Sequence, residues 1–235
     1  MVQLFNGLLR PTEGRVFVGS TDLSAPDTDW KRIRGEVGLA FQFPELQLFE
    51  ETVLEDVAFG PLSFGLNRPD AEERARRALA FVGLSPDEYG DRSPFSLSGG
   101  ECRRAALAGV FAMEPRVLVL DEPTAGLDEE GTRRVEGLIR EYHARGRTVV
   151  CVSHHMDFIA RLADEIVVLS RGEVLFDGGK DALFEDADLL REAGLELPGV
   201  TRVLHGLRKR GKAVRTNLYT VREAREELNR LGRNE

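Results

Sequence analysis

Long apolar runs are missing from this chain of 235 residues: the longest, Ala105 to Met113, counts nine and is interrupted by Gly109. A membrane span needs about 18, so no transmembrane helix is expected. Cysteine is almost missing. Cys102 and Cys151 lie far apart, form no CxxC pair and have no histidine at metal spacing. That excludes a disulfide scaffold and a zinc ribbon, makes both packing residues, and fits a reducing cytoplasm. The opening MVQLFNGLLR lacks the basic n-region and apolar core of a secretory signal, so none is expected. An excess of positive charge is lacking too. Lys+Arg 32 against Asp+Glu 40 gives −8, which argues against nucleic acid as a partner. No repeat or low-complexity stretch occurs. What is present, 42 % hydrophobic and 31 % charged residues, is a globular balance, long enough for one large domain or two small ones. The charge is uneven. Residues 202–235 hold ten Lys/Arg and four Asp/Glu, or +6, leaving −14 on the first 201. The tail therefore reads as a separate element with its own partner or docking face.

Apolar β-branched runs at Arg15–Val18, Val37–Phe41, Val117–Leu120, Thr148–Val152, Glu165–Leu169 and Glu173–Phe176 read as strands. Strand–helix–strand alternation from Val117 to Leu169 predicts a parallel α/β sheet. A helix is expected over Ala71–Val82, with Asp70 as N-cap, Glu73 completing a capping box and Gly83 at the stop. Val135, Leu138, Ile139 and Tyr142 share the apolar face of another. Leu46 to Met113 shows no clear strand and reads as an inserted helical subdomain. Thr220 to Glu223 is a second capping box, ahead of Val221, Ala224, Leu228 and Leu231 on one helix face.

Two motifs carry chemistry. Val117 to Leu120 delivers Asp121 and Glu122 to the C-terminal end of a strand, where α/β sheets bind ligands. One carboxylate can hold Mg²⁺ through water while the other orients or deprotonates a water; taken alone, the pair is equally a solvated acidic turn. Leu97-Ser98-Gly99-Gly100-Glu101 places a hydroxyl and unobstructed N–H groups at a helix N-terminus, an anion site, or else an ordinary Ser N-cap. The strand at Arg116 follows Gly100 by sixteen residues. Ala125-Gly-Leu-Asp128 and Val152-Ser153-His154 then follow in order.

That ordered set resembles the ATP-binding cassette (ABC) ATPases. LSGGE matches their signature, VLVLDEP the Walker B strand, AGLD the D-loop, VSH the switch histidine, and Phe41-Gln42 the Q-loop. The resemblance implies an α/β, P-loop NTPase-like cassette with a mostly parallel sheet, helices on both faces and a helical signature subdomain. It also implies ATP and Mg²⁺ as cofactors. Asp121 would bind Mg²⁺ through water, with Gln42 contacting metal and water and relaying their state to a membrane partner. Glu122 would be the general base, and His154 would bond the γ-phosphate. Ser98, Gly99, Gly100 and Glu101 would complete the γ-phosphate site of an opposing subunit, and Asp128 would bridge the two subunits. Glu101 stands where glutamine is usual, adding negative charge near a phosphate site.

The pattern G-x-x-x-x-G-K-S/T does not occur in the 235 residues. Gly178-Gly179-Lys180-Asp181 comes nearest, lacks the first glycine and the hydroxyl residue, and reads as a turn into a late helix. In the resemblance this chain opens just after that loop, so Met1–Asn6 is expected to be the stub of a helix, with the N-terminal strands and Walker A lying upstream.

Phe41 to Pro61, above all FQFPELQLFEETV, resembles the ATPase subunits of energy-coupling factor transporters, especially the second of their two paired ATPases. The expected domains are a cassette over 1–186, with an α/β core of 1–45 and 114–186 and a signature subdomain of 46–113. A helical extension over 187–235 would serve subunit pairing. Leu46, Leu48 and Phe49 would receive the membrane partner, or else are subdomain core. Trp30 reads as core or rim, and Arg208–Lys212 as a solvated face or a contact with anionic lipid headgroups. The expected partners are a second ABC ATPase, as homo- or heterodimer, a transmembrane scaffold and a substrate-capture membrane protein. The chain would sit at the cytoplasmic face of the membrane and power vitamin or transition-metal uptake. A non-catalytic subunit donating only its signature face is the alternative. A soluble, non-transport ABC ATPase is disfavoured by the absence of long heptads and of a basic surface.

Overall fold

The structure, a computed structural model, describes residues 1–232. The last three residues of the expected 187–235 extension, Arg233 to Glu235, lie outside the described residues. The chain packs as two units, Met1–Val152 and Ser153–Glu235.

Unit 1 contains β1 (Phe17–Val18), β2 (Thr21–Asp22), α1 (Trp30–Glu36), β3 (Val37–Ala40), α2 (Val53–Ser63), α3 (Arg68–Phe81), α4 (Pro86–Tyr89), α5 (Gly99–Ala112), β4 (Val117–Asp121), α6 (Glu129–Ala144) and β5 (Thr148–Val152). Its centre is a three-stranded parallel sheet in the order β3-β4-β5. Ala40 pairs with Leu120, and Asp121 with Val152. β3 is buried throughout, as are Leu118, Val119 and Leu120 of β4. Such continuous apolar runs are what a parallel strand covered on both faces requires. Burying a Leu or Ile side chain of this kind contributes about 1.5–3 kcal/mol. Gly38 has a packing reason: a Cβ there would lie 2.7 Å from Pro115 Cγ, so the chain after α5 could not pass so close to β3.

Several expectations shift. The expected strand at Arg15–Val18 shrinks to Phe17–Val18, paired antiparallel with β2, which the sequence did not announce. Met1–Asn6 holds a single 3₁₀ turn, Val2–Leu4, whose Val2 packs against Val37, Leu39 and Val119. α3 begins at Arg68, with Asn67 rather than Asp70 as N-cap: Asn67 Oδ1 accepts from the Asp70 N–H at 3.0 Å. Pro69 explains the earlier start, because proline fits the first helical turn, where its missing N–H costs nothing. Trp30 opens α1 and packs over Gly7, where a Cβ would fall 1.8 Å from the ring.

Between β3 and β4 there is only helix and loop. α5 packs on α2 and α3, and Ala105, Ala108 and Ala112 of α5, Val57 of α2, and Ala71 and Ala75 of α3 are all buried. Small residues on these faces let the helix axes approach closely. On α6, Val135, Leu138, Ile139 and Tyr142 are all buried as the spacing predicts, and Tyr142 Oη donates to Pro115 O at 2.7 Å.

Unit 2 contains α7 (Met156–Leu162), β6 (Glu165–Ser170), β7 (Glu173–Gly179), α8 (Lys180–Glu185), α9 (Ala187–Ala193), α10 (Gly199–Lys209) and α11 (Val221–Gly232). The alternation to Leu169 suggested a parallel β6, but β6 pairs antiparallel with β7. The cause is local. Arg171 and Gly172 both take positive φ, 52° and 84°, a two-residue turn that joins only antiparallel strands. Gly179 precedes α8, as expected of the Gly178–Asp181 turn. Ala160, Val168, Leu183, Phe184, Leu190 and Tyr219 form one cluster, so packing runs across the expected boundary at 186/187. α11 begins with the expected box: Thr220 N and Oγ1 donate to Glu223 Oε2 at 2.8 and 2.6 Å. Its apolar face is not core, since Val221 is 76 % and Leu228 40 % exposed. The buried residue is Glu227, accepting from Arg215 Nε and Arg230 Nη2 at 3.0 and 2.6 Å. The basic run at Arg208–Lys212 ends α10, and Arg208 Nη1 donates to Thr216 Oγ1 at 3.0 Å.

Candidate active site

β3 and β4 run in parallel and end together. Gln42 leaves two residues after Ala40, and Glu122 two residues after its register partner Leu120. Asp121 and Glu122 thus stand at the C-terminal edge of the central strand, with the exposed Gln42 at the same edge. Glu122 is held at φ 47°, a left-handed backbone that costs a non-glycine residue about 1–3 kcal/mol. Hydrogen bonds on both sides hold it there: its N–H donates to Val152 O at 2.9 Å and its carbonyl accepts from Ala125 N at 3.1 Å. Beside the pair, burial pushes the Cys151 thiol up to about 12, with the Glu122 and Asp121 charges adding to the shift. Cys102 is raised by burial too. Both thiols stay protonated at neutral pH, as packing residues do.

Among the described residues, no group of three or more His, Cys, Asp or Glu side chains could hold a metal ion. Mg²⁺ asks for less. One or two carboxylates with waters and substrate phosphates suffice, and the Asp121 carboxylate with the Gln42 amide oxygen fits that donor set.

Ser98 is the N-cap of α5, followed by the exposed Gly99 and Gly100. A Cβ at Gly99 would meet nothing within 4 Å, so this turn is open on its outer side. Glu101 does not point freely into solvent. Its Oε2 accepts from Ser98 N and Oγ at 2.7 and 2.6 Å, and its Oε1 from Tyr89 Oη at 2.9 Å. These donors, Ser98 first, hold the Glu101 carboxyl down at about 2. The site is therefore a helix N-terminus already carrying one negative charge. Ser98 is an N-cap as one of the two readings had it; that Glu101 closes a capping box with it was not anticipated, and the contribution of Tyr89, twelve residues upstream, had no local signal.

Asp128 caps α6, its Oδ1 accepting from Gly131 N at 2.7 Å. Between α5 and α6 lies a cleft of about 240 Å³ lined by Gly100, Arg103, Arg104, Asp128 and Arg134 among others. Arg104 Nε is buried without a hydrogen-bond partner. Unit 1 thus brings Gln42, Asp121 and Glu122 to one sheet edge, with Ser98–Glu101 and Asp128 at two helix starts. His154 belongs to unit 2, where it is exposed just ahead of α7, whose N-cap His155 donates its N–H to Ser153 Oγ at 3.1 Å. Of the three apolar residues after the Gln42 turn, Leu48 is core, whereas Leu46 is 82 % and Phe49 56 % exposed.

Residues 1–125 match the ABC transporter family. The "Energy-coupling factor transporter ATP-binding protein EcfA2" of Symbiobacterium thermophilum is 50 % identical over 224 residues, 95 % of this chain and 77 % of that protein. The EcfA2 of Clostridium tetani is 42 % identical over 235 residues, 100 % of this chain and 82 % of that protein. Among solved structures, cbiO1 from Clostridium perfringens, part of the ABC transporter complex cbiONQ, superposes with a TM-score of 0.70 at 32 % identity, covering 88 % of this chain and 80 % of that one.

Proposed function

Because the chain belongs to the ABC transporter family and, within it, to the energy-coupling factor transporter ATP-binding proteins, we propose that it binds ATP with Mg²⁺ and hydrolyses it to energise uptake of a vitamin or transition metal. In this reading it lies peripherally on the cytoplasmic face of the membrane. Its partners are a second ABC ATPase, a transmembrane scaffold and a separate substrate-capture membrane protein; nucleic acid is not among them. No helix among the described residues is long and apolar enough to cross a membrane, and cbiO1 is part of a complex, cbiONQ; both support an assembly in which other chains cross the membrane.

The observation that carries the proposal is the delivery of Asp121 and Glu122 to the end of β4, with Glu122 fixed at φ 47°. Bound Mg²⁺ supplies charge neutralisation on the β- and γ-phosphates. Asp121 and Gln42 hold it, Glu122 orients the attacking water and accepts its proton, and His154 bonds the γ-phosphate oxygen. Gly99 and Gly100 present N–H donors to the γ-phosphate of a nucleotide held by the opposing cassette, and Ser98 adds its hydroxyl proton when Glu101, which accepts it at 2.6 Å, gives it up. Asp128 lies at the contact between the two subunits. The cassette is the 1–186 segment, and 187–235 serves pairing.

Glu122→Gln in the assembled transporter tests this. It should keep ATP binding and lose hydrolysis at its own site about 100-fold, read as trapped ATP. Unchanged turnover, with turnover abolished by changes at Ser98, would instead mark a subunit that donates only its signature face.

A further inference from the structure

Arg103 is a buried charge of unit 1 that the roles above leave unused. It lies on the first turns of α5, five residues after Ser98, and its side chain is 8 % exposed. Its Nε and Nη2 donate to Glu45 Oε2 and Oε1 at 3.1 and 2.8 Å, a fork-to-carboxylate pair across 58 residues of sequence. Its Nη1 donates to the Ala125 carbonyl, and its guanidinium lies 5.7 Å from the centroid of the Phe43 ring.

Taking such a pair out of water costs more than an apolar contact of the same size, and α5 does not need it to begin, since Ser98 and Glu101 cap its start. What the fork joins is specific. Glu45 lies three residues after Gln42, and Ala125 three residues before Asp128. Arg103, a side chain of the helix that Ser98 opens, bonds to both loops at once. Arginine alone satisfies all three acceptors, because its planar fork presents separate N–H groups to a carboxylate and a carbonyl at once.

We infer that Arg103 is a positioning residue that relays the state of the Gln42 loop to the Asp128 loop through α5. A membrane partner that shifts Glu45 on docking would thereby release or re-aim Ala125–Asp128 in the same step. The hydrogen-bond partners of Arg103, Glu45 and Ala125, are not among the residues assigned above to metal, water or γ-phosphate. The functional names of the two loops rest on the ATPase reading; the relay rests on the junction.

The test is amide hydrogen exchange on the assembled transporter without nucleotide, comparing wild type with the isosteric Glu45→Gln. The probes are the N–H groups of Ala125, Leu127 and Gly131, bonded to Glu122 O, Thr124 O and Asp128 Oδ1 at 3.1, 3.1 and 2.7 Å. None of these touches Glu45. They should exchange about tenfold faster in the variant while amides of α3 keep their rates. Arg103→Lys, which keeps the charge and loses the fork, should give the same pattern. Adding Glu45→Gln to Arg103→Lys should accelerate exchange no further, because the two act through one junction. Wild-type rates at 125–131 in Glu45→Gln would overturn the relay. So would equal acceleration in α3, which marks a merely structural pair. No nucleotide is present, so failure of the relay and failure of the hydrolysis reading show up in separate experiments.

Discussion

Ser98-Gly-Gly-Glu101 and Thr220-Val-Arg-Glu223 use one device in two places. In each, the N-cap residue donates both its N–H and its hydroxyl to a glutamate three residues on, at 2.7 and 2.6 Å in the first and 2.8 and 2.6 Å in the second. Their surroundings differ. At 220 the carboxylate also accepts from Tyr219 N at 3.1 Å, and Tyr219 is part of the unit 2 core. At 98 the intervening residues are two exposed glycines with open space beside Gly99. The local motif builds a helix start in both cases. Only the bare glycines leave donors that a phosphate could approach, so the context and not the cap separates a candidate site from a structural joint.

The widest separation should come from placing a carboxylate in each. Gly100→Asp puts negative charge where a phosphate would approach without a steric clash, since Arg104 Nη1 lies 3.8 Å from where a Cβ would stand. ATP hydrolysis by the assembled transporter should fall about 100-fold, while Val221→Asp, one residue earlier in the second box, leaves it unchanged. Equal losses would make the two boxes equivalent and remove the signature from the mechanism. The converse change, Thr220→Ala, should cost about 1 kcal/mol of stability, read by chemical denaturation of unit 2 signals, without altering turnover.

An acid titration sharpens the same contrast within unit 2. Donors from Thr220 hold the Glu223 carboxyl below its usual value, and Arg230 with Arg215 holds that of Glu227 at about 2 against an ordinary 4.5. Lowered values mean that the ionised forms favour the folded state. Their contribution is complete above pH 4.5 and is lost as pH falls toward 2. Glu227→Gln should flatten the loss of helical circular dichroism across that window. An acid curve identical to wild type would take Glu227 out of the account.

What the sequence made legible was local or periodic. The apolar run at Val117–Leu120, the Val135–Tyr142 face, the Ser98 cap and the Thr220–Glu223 box each need only a few neighbouring residues to be read, and each took shape as the pattern implied. The start of α3 moved because proline tolerance in the first turn outweighed an acidic cap candidate. The direction of β6 was misread because a two-residue turn overrode the strand–helix alternation. Contacts across long separations left no trace at all. Nothing in the spacing of Glu45, Arg103 and Ala125 announces that they meet, nor that Tyr89 would hold Glu101. The ordered motifs named candidate residues; they were silent on what braces them.

The smallest expected effect lies at Glu101. Its carboxylate occupies the positive end of α5 and engages the Ser98 hydroxyl and Tyr89 Oη, so an arriving phosphate meets a charge of its own sign. Glu101→Gln keeps the shape and an amide oxygen to accept from Ser98, and removes that charge. Charges at a helix terminus in water shift equilibria by a few tenths to one kcal/mol, so ATP-driven association with the partner cassette should tighten about twofold to fivefold. The same swap at Glu223, in the tail assigned to pairing, should not tighten that association, because its donors are Tyr219 and Thr220 and no bare glycines follow its cap. Tightening at Glu101 should also shrink at high salt, where exposed charges are screened. A Glu101→Gln variant that associates more weakly than wild type would show that the carboxylate acts through its hold on Ser98 rather than through its charge, making it a brace of the site instead of a brake on it.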